Sequence, residues 1–319
     1  MSDAVQIAAH AKLNLFLRVL AREADGFHGL ETLFCLISLA DLLAAERRTA
    51  PGVTIEVRGA DTGSAEENLA VRAARMVLEA TGNRFGVHLR LEKRIPVRAG
   101  LGGGSSDAAA ALDLVNRLAG DPVPRHELLQ FAARLGSDVP FFVSGGPLAL
   151  AWGHGERMLR LPPLPPAPAL LVLPAVAIST PEAYRQVDEA RHGTGRRGAV
   201  ALDPAVLSSW GQIGRLSGND FESVLFGRHP ELRRAFEALA ATHPLVCRMS
   251  GSGSALFAVY RSAADRDQAR MVLGRKYGDT MAVETLASQP PGPVEAGGSG
   301  IGGGEPGTVN PEHGQPAER

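Results

Sequence analysis

Cysteine is nearly missing from this 319-residue chain: Cys35 and Cys247 are its only two, which excludes a disulfide-stapled scaffold and suits a reducing compartment. A dominant sign of charge is missing too. The 33 basic and 34 acidic residues leave a net charge of -1, and aromatics make up only 5%; no global field draws the chain to nucleic acid or an anionic membrane. The most apolar window, LPPLPPAPALLVLPAVAI, is interrupted by six prolines and reads as a linker entering a buried strand, not as a membrane helix. The opening MSDAVQIAAHAK has neither a basic n-region nor an apolar h-region, so a cytoplasmic protein is expected. Small anionic ligands must then be held by local devices. Length and a hydrophobic content of 45% leave room for two packed domains or one large one.

Periodicity gives the coarse organisation. VTIEVRG (53–59) and GVHLRLEKR (86–94) alternate as strands do, while Leu69, Ala73, Met76, Val77 and Ala80 recur at helical spacing. Ser64 with Glu67 offers a cap at the start of that helix, and Gly82 an end. Ala108, Ala111, Leu112, Val115 and Leu118 keep one apolar face up to Gly120, and Leu128, Leu129, Ala132 and Leu135 describe a further helix stopped by Gly136. The proline cluster at 162–168 marks a domain boundary. Beyond it LLVLPAVAI and ALFAVY read as strands, PEAYRQVDEAR and PELRRAFEALA as helices, and HGTGRR near 192–197 as a mobile loop. The chain thus divides into 1–161, 162–287 and a Gly/Pro-rich tail, 288–319, whose composition predicts disorder outside the fold.

One stretch stands out. In VRAGLGGGSSDAAAA (97–111) a glycine run opens directly into an alanine-rich helix, a geometry that turns free N–H groups and the positive end of a helix dipole toward an anion. A Walker loop is excluded because no lysine precedes the hydroxyl residue Ser105, and a dinucleotide fingerprint fits Gly100, Gly102 and Ser105 only loosely. What remains is a cradle for a polyphosphate, against the alternative of a flexible glycine linker. Three further stretches bear on it. AKLNLFLRVL places Lys12 and Asn14 on one face of a strand; ADGFHGLETLF supplies Asp25, Phe27 and His28 after a turn; GSDVPFF sets Asp138 between a helix-ending glycine and Val139-Pro140. Each has a plain alternative: an edge-strand lysine for Lys12, a turn residue for His28, a helix cap for Asp138. MSGSGSALFAVY is a second glycine-serine loop, or simply a tight hairpin turn.

Taken in order, AKLNLFL, DGFH, GLGGGSSDAA, LGSDVPFF and MSGSGSALFA resemble the GHMP kinase superfamily over roughly residues 8–285. The resemblance implies an α/β (α+β) fold of two domains with the active site in the cleft between them, and ATP-dependent phosphorylation of an alcohol. It implies Lys12 and Asp138 as catalytic residues, Asp138 taking the hydroxyl proton and Lys12 holding that carboxylate ionised. ATP would be bound by Gly100, Leu101, Gly102, Gly103, Gly104, Ser105 and Ser106, with Asn68 and Lys93 near the nucleoside. The motif set further implies a cytidine diphosphate sugar alcohol of isoprenoid precursor synthesis as acceptor. Phe27, His28 and Tyr184 would clamp its base, and Asn14 and Thr180 would lie near its polyol. Phe27 replaces the family's usual Tyr, and Tyr184 a frequent Phe. Magnesium is expected with ATP, but no carboxylate pair in the sequence marks its ligands. A mevalonate- or homoserine-type kinase and a non-catalytic ATP-binding regulator are the competing readings.

Overall fold

The computed structural model describes residues 3–22, 26, 28–191 and 204–296. Two long strands, β1 (Ala4–Arg22) and β2 (His28–Arg48), form its antiparallel spine. β3 (Val53–Arg58), helix α1 (Leu69–Ala80) and β4 (Gly86–Glu92) follow, then α2 (Gly103–Ala119), α3 (Arg125–Leu135) and α4 (Val139–Ser144), and the hairpin β5 (Leu148–Gly153) and β6 (Arg157–Arg160). β2 is long enough to pair β4 through residues 42–48 and β5 through residues 30–35 along one side while pairing β1 along the other. Among the described strands of this sheet, β3 and β4 pair in parallel and the rest antiparallel.

The second sheet is wholly antiparallel, in the order β10-β7-β9-β8. Its strands are β7 (Pro168–Leu173), β8 (Val246–Met249), β9 (Leu256–Val259) and β10 (Asp279–Glu284), and its helices are α5 (Thr180–Ala190), α6 (Trp210–Leu216), α7 (Asp220–Arg228), α8 (Pro230–Ala240) and α9 (Ala263–Leu273). The proline cluster falls between β6 and β7, at the passage from one sheet to the other. The two units share an apolar core in which Leu13, Leu15 and Ile37 meet Leu171, Phe257 and Val283. HGTGRR lies outside the described residues, as does Phe27.

Two local expectations are corrected. Helix α1 is capped not by Ser64 but by Asn68, whose side chain accepts from Ala70 N at 2.9 Å; Ser64 instead closes a turn on Glu67 N. The tail expected to leave the fold at residue 288 returns to it. Val294–Glu295 forms a short strand, β11, on the open edge of β1 at Val5 and Gln6, and Ala296 N bonds Ala4 O at 3.1 Å. An unpaired strand edge offers backbone partners to any extended segment, whatever its composition. β11 answers that edge.

The alanine block gives α2 its central place. Ala108 and Ala111 are fully buried, and their small side chains let α1, β1 and α4 pack closely around the helix. This packing fixes the start of α2, and with it the glycine loop, against the N-terminal strand.

Candidate active site

The loop turns through left-handed backbone at Gly100 (φ 78°) and Gly102 (φ 72°). Both glycines are required by contact as well. A Cβ on Gly100 would stand 2.1 Å from Ser250 O, and one on Gly102 would stand 2.9 Å from Lys12 Cγ and 3.0 Å from Phe142 Cζ. Helix α2 starts without a side-chain cap, and its first intrahelical bond runs from Ser106 N to Gly102 O at 2.9 Å. The N–H groups of Gly103, Gly104 and Ser105 therefore precede the helical ladder, where an anion is best held. Leu101 is buried, its carbonyl accepting from Lys12 N at 3.0 Å, and Ser106 is buried beneath the turn.

Lys12 enters from β1, whose register shifts on both sides of the Lys12–Asn14 segment. Its ammonium, 3% exposed, donates to Asn14 Oδ1 at 2.6 Å and Gly100 O at 2.9 Å and lies 3.4 Å from Asp138 Oδ2. Buried and paired in this way, the side chain does not guard an open strand edge from solvent. Asp138 occupies the N-cap position of α4 with Pro140 in the first turn, yet its side chain makes no capping bond. The carboxylate faces Lys12 and remains 32% exposed; burial, reinforced by this carboxylate's charge, pushes the Tyr184 hydroxyl above the ordinary phenol range. Tyr184, from α5, thus belongs to the same region as Asp138.

His28 stacks on Tyr184, ring centroids 5.3 Å apart at 18°, and its Nε2 meets Asp188 Oδ1 at 2.7 Å. Tyr184 in turn meets the edge of Phe221. His28 and Tyr184, expected as parts of a clamp, form one stacked wall in this arrangement. Thr180, also on α5, exchanges a hydrogen bond of 2.8 Å with Ser252 in the 250–255 loop.

That late loop is a hairpin turn between β8 and β9, and it is also a support. Ser250 Oγ donates to Gly100 O at 2.9 Å and accepts from Asn14 N at 3.4 Å, while Asn219 donates to the carbonyls of Met249 and Gly251, both at 2.8 Å. Sequence reading missed Ser250 and Asn219 as functional supports. The only signal was the glycine-serine composition of the loop.

Two expected nucleotide contacts are otherwise engaged. Asn68 caps α1 and donates to Thr62 Oγ1 at 3.2 Å. Lys93 reaches the underside of the glycine loop, where its ammonium lies between Asp41 and, at 2.8 Å, Asp107. Burial disfavours its charge, but the two carboxylates more than compensate and push its pKa up. Among the described residues no group of three His, Cys, Asp or Glu side chains is placed to hold a metal ion.

Family models extend this geometry. The GHMP kinases N terminal domain matches residues 68–146 and the GHMP kinases C terminal domain residues 201–279. A 4-diphosphocytidyl-2-C-methyl-D-erythritol kinase of Solibacter usitatus is 42% identical over 261 residues, covering 80% of this chain and 81% of its own. The chain belongs to this family of GHMP kinases. The kinase of the same name from Symbiobacterium thermophilum is 41% identical, with 85% and 95% covered. Among solved structures, a 4-(cytidine 5'-diphospho)-2C-methyl-D-erythritol kinase superposes with a TM-score of 0.74 at 38% identity, over 88% of this chain and 98% of that one. The homoserine kinase of Cytophaga hutchinsonii, with a TM-score of 0.68 at 20% identity over 92% and 98%, shares the fold. The two-sheet architecture is thus the two-domain GHMP kinase fold, with helices and sheets mixed in each domain.

Proposed function

We propose that this chain transfers the γ-phosphoryl group of ATP to the 2-hydroxyl of 4-diphosphocytidyl-2-C-methyl-D-erythritol, a step of isoprenoid precursor synthesis. The observation that carries the reading is Asp138: placed where it would cap a helix, it instead faces the buried Lys12 beside the glycine loop. A capping residue has no need of a lysine, whereas a general base beside a phosphate site does.

In this reading the N–H groups of Gly103, Gly104 and Ser105 hold the ATP phosphates. Asp138 accepts the acceptor's hydroxyl proton as the new O–P bond forms and ADP leaves. Lys12 offsets the negative charge gathered by the transferred group, fixed in place by Asn14 and Gly100 so that little reorganisation is needed. Magnesium comes with the nucleotide phosphates. The His28–Tyr184 wall offers a face for the cytosine ring, where stacking is worth about 1–3 kcal/mol per base; Asn14 and Thr180 border the polyol. Binding energy gained at the base then aligns the hydroxyl with the γ-phosphate.

Coupled ADP release, measured with and without the cytidine diphosphate acceptor, tests this. ADP is expected only with the acceptor present, and mevalonate and homoserine should be poor substitutes. Faster turnover of either small alcohol would remove the acceptor assignment while leaving phosphoryl transfer in place. No ADP with any acceptor would favour a non-catalytic ATP-binding role.

A further inference from the structure

Just past the first turn of α2 lies a buried acidic side chain that the proposed reaction does not use. Asp107 is 3% exposed; its Oδ2 accepts from Lys93 Nζ at 2.8 Å, and its Oδ1 has no hydrogen-bond partner among the described residues. A buried carboxylate oxygen in that state is unfavourable and calls for an explanation. Lys93 also binds Asp41, and Asp41 is far better satisfied: its Oδ1 accepts from the backbone N–H groups of Arg94 and Ile95 at 2.6 and 2.8 Å. Two carboxylates and one ammonium are thus buried together. With Asp107 ionised the cluster is a net anion, and with Asp107 protonated it is neutral.

The place of this cluster gives it significance. Lys93 Nζ lies 3.2 Å from where a Cβ on Gly103 would stand, directly behind the N–H groups that face outward at the start of α2. We propose that Asp107 is a positioning residue that carries a proton when the loop holds ATP, its neutral form keeping the buried cluster uncharged behind the phosphate cradle and its ionised form weakening that cradle. The proposal rests on the reading of Gly103–Ser105 as the ATP cradle. A buried anion behind an anion site opposes the ligand through a low-dielectric medium that screens poorly. By linkage, a proton that favours ATP is itself favoured by ATP, so binding draws protons onto Asp107.

The surroundings are consistent with a proton exchanged near neutrality. Burial pushes the Asp107 carboxyl up to about 7, with Lys93 opposing and Asp41 reinforcing the shift. β2 contributes Asp41, and the end of β4 leads to Lys93. β1 contributes His10, bonded to Ile37 O at 2.9 Å, and Lys12, which is held by Asn14, Gly100 and Asp138. α1, α3 and α4 meet α2 through apolar residues such as Ala73, Ala132 and Val139.

Calorimetric titration of ATP into the full chain, in two buffers of different ionisation enthalpy, reads the protons taken up on binding. Wild type should take up more protons than Asp107→Asn. Its ATP Kd should weaken by about fivefold more than the variant's between about pH 6 and pH 8, the low end of ordinary coupling between sites. The titration of ATP and of the other groups near the site is common to both proteins and cancels in the comparison. Equal proton uptake in the two proteins, or superimposable pH profiles, overturns the proposal. If Asp107→Asn does not fold, infrared difference spectra of wild type on ATP binding decide the question: a gain in protonated-carboxyl absorption supports the proposal and its absence refutes it. Failure of wild type to bind ATP would overturn the cradle reading and the proposal with it, whereas ATP binding without a proton difference overturns the role of Asp107 alone.

Discussion

Replacing Asp138 by asparagine separates catalysis from architecture. The side chain makes no capping bond to α4, so an amide of the same shape removes no helix support. Lys12 loses an opposite charge at 3.4 Å but keeps Asn14 Oδ1 at 2.6 Å and Gly100 O at 2.9 Å as acceptors. Breaking a fully buried ion pair costs about 3–5 kcal/mol and an exposed one about 0–1 kcal/mol. Asp138 is 32% exposed, and the ammonium stays hydrogen-bonded, which places the expected loss at about 1 kcal/mol, a fall in Tm of about 1–2 °C for a chain of this size. Loss of a general base costs about 10²–10⁴ in rate, or about 3–5 kcal/mol of transition-state stabilisation. The two effects therefore differ several-fold in energy. The assay is kcat from coupled ADP release at saturating acceptor, with ATP Kd and Tm measured on the same preparation. Turnover within about threefold of wild type would refute Asp138 as the base. So would a kcat loss that merely tracks the loss of folded protein.

Gly102→Ala should reduce turnover at least about tenfold, because its Cβ enters the space of Lys12 and Phe142 at a positive φ that costs about 1–3 kcal/mol. Gly104→Ala, with nothing within 4 Å of the new methyl, should leave Tm unchanged in the same scan. Tyr184→Ala should raise the acceptor KM about tenfold or more with little change in the ATP KM, whereas Tyr184→Phe, which keeps the ring stacked on His28, should be mild; equal effects on both substrates would place Tyr184 outside the acceptor site. Truncation after Ala287 removes β11 from the edge of β1. A Tm lowered by about 2–4 °C is expected, together with self-association in light scattering through the opened edge; an unchanged Tm and a monodisperse monomer would show that the pairing contributes nothing.

Local structure was largely legible from the sequence. PELRRAFEALA coincides with α8 (Pro230–Ala240), Gly120 and Gly136 stand at the C-caps of α2 and α3, and VTIEVR and GVHLRLE are β3 and β4. These follow from period, propensity and glycine geometry, which act over a few residues and so can be read locally. The glycine loop entering an alanine helix was visible for the same reason. β2 was not. LISLADLLAAERR shows no clean alternation, and this segment is a strand because β1 and β4 supply its backbone partners. β11, in a stretch rich in glycine and proline, exists by the same edge pairing.

The charges at the site were decided by tertiary structure alone. GSDVPFF allowed Asp138 to be a cap or a base, and only the approach of β1 brings Lys12 to it. Lys93, expected near a nucleoside, is held between Asp41 and Asp107, residues from two other elements, and no local pattern foretold those ion pairs. Propensity and periodicity are properties of neighbours along the chain, so the sequence by itself determined helices such as α1, α2, α3, α5 and α8, several strands and the loop. An ion pair depends on the distance between groups far apart in sequence and on the water excluded around them, and both are set only when the sheets and helices have packed.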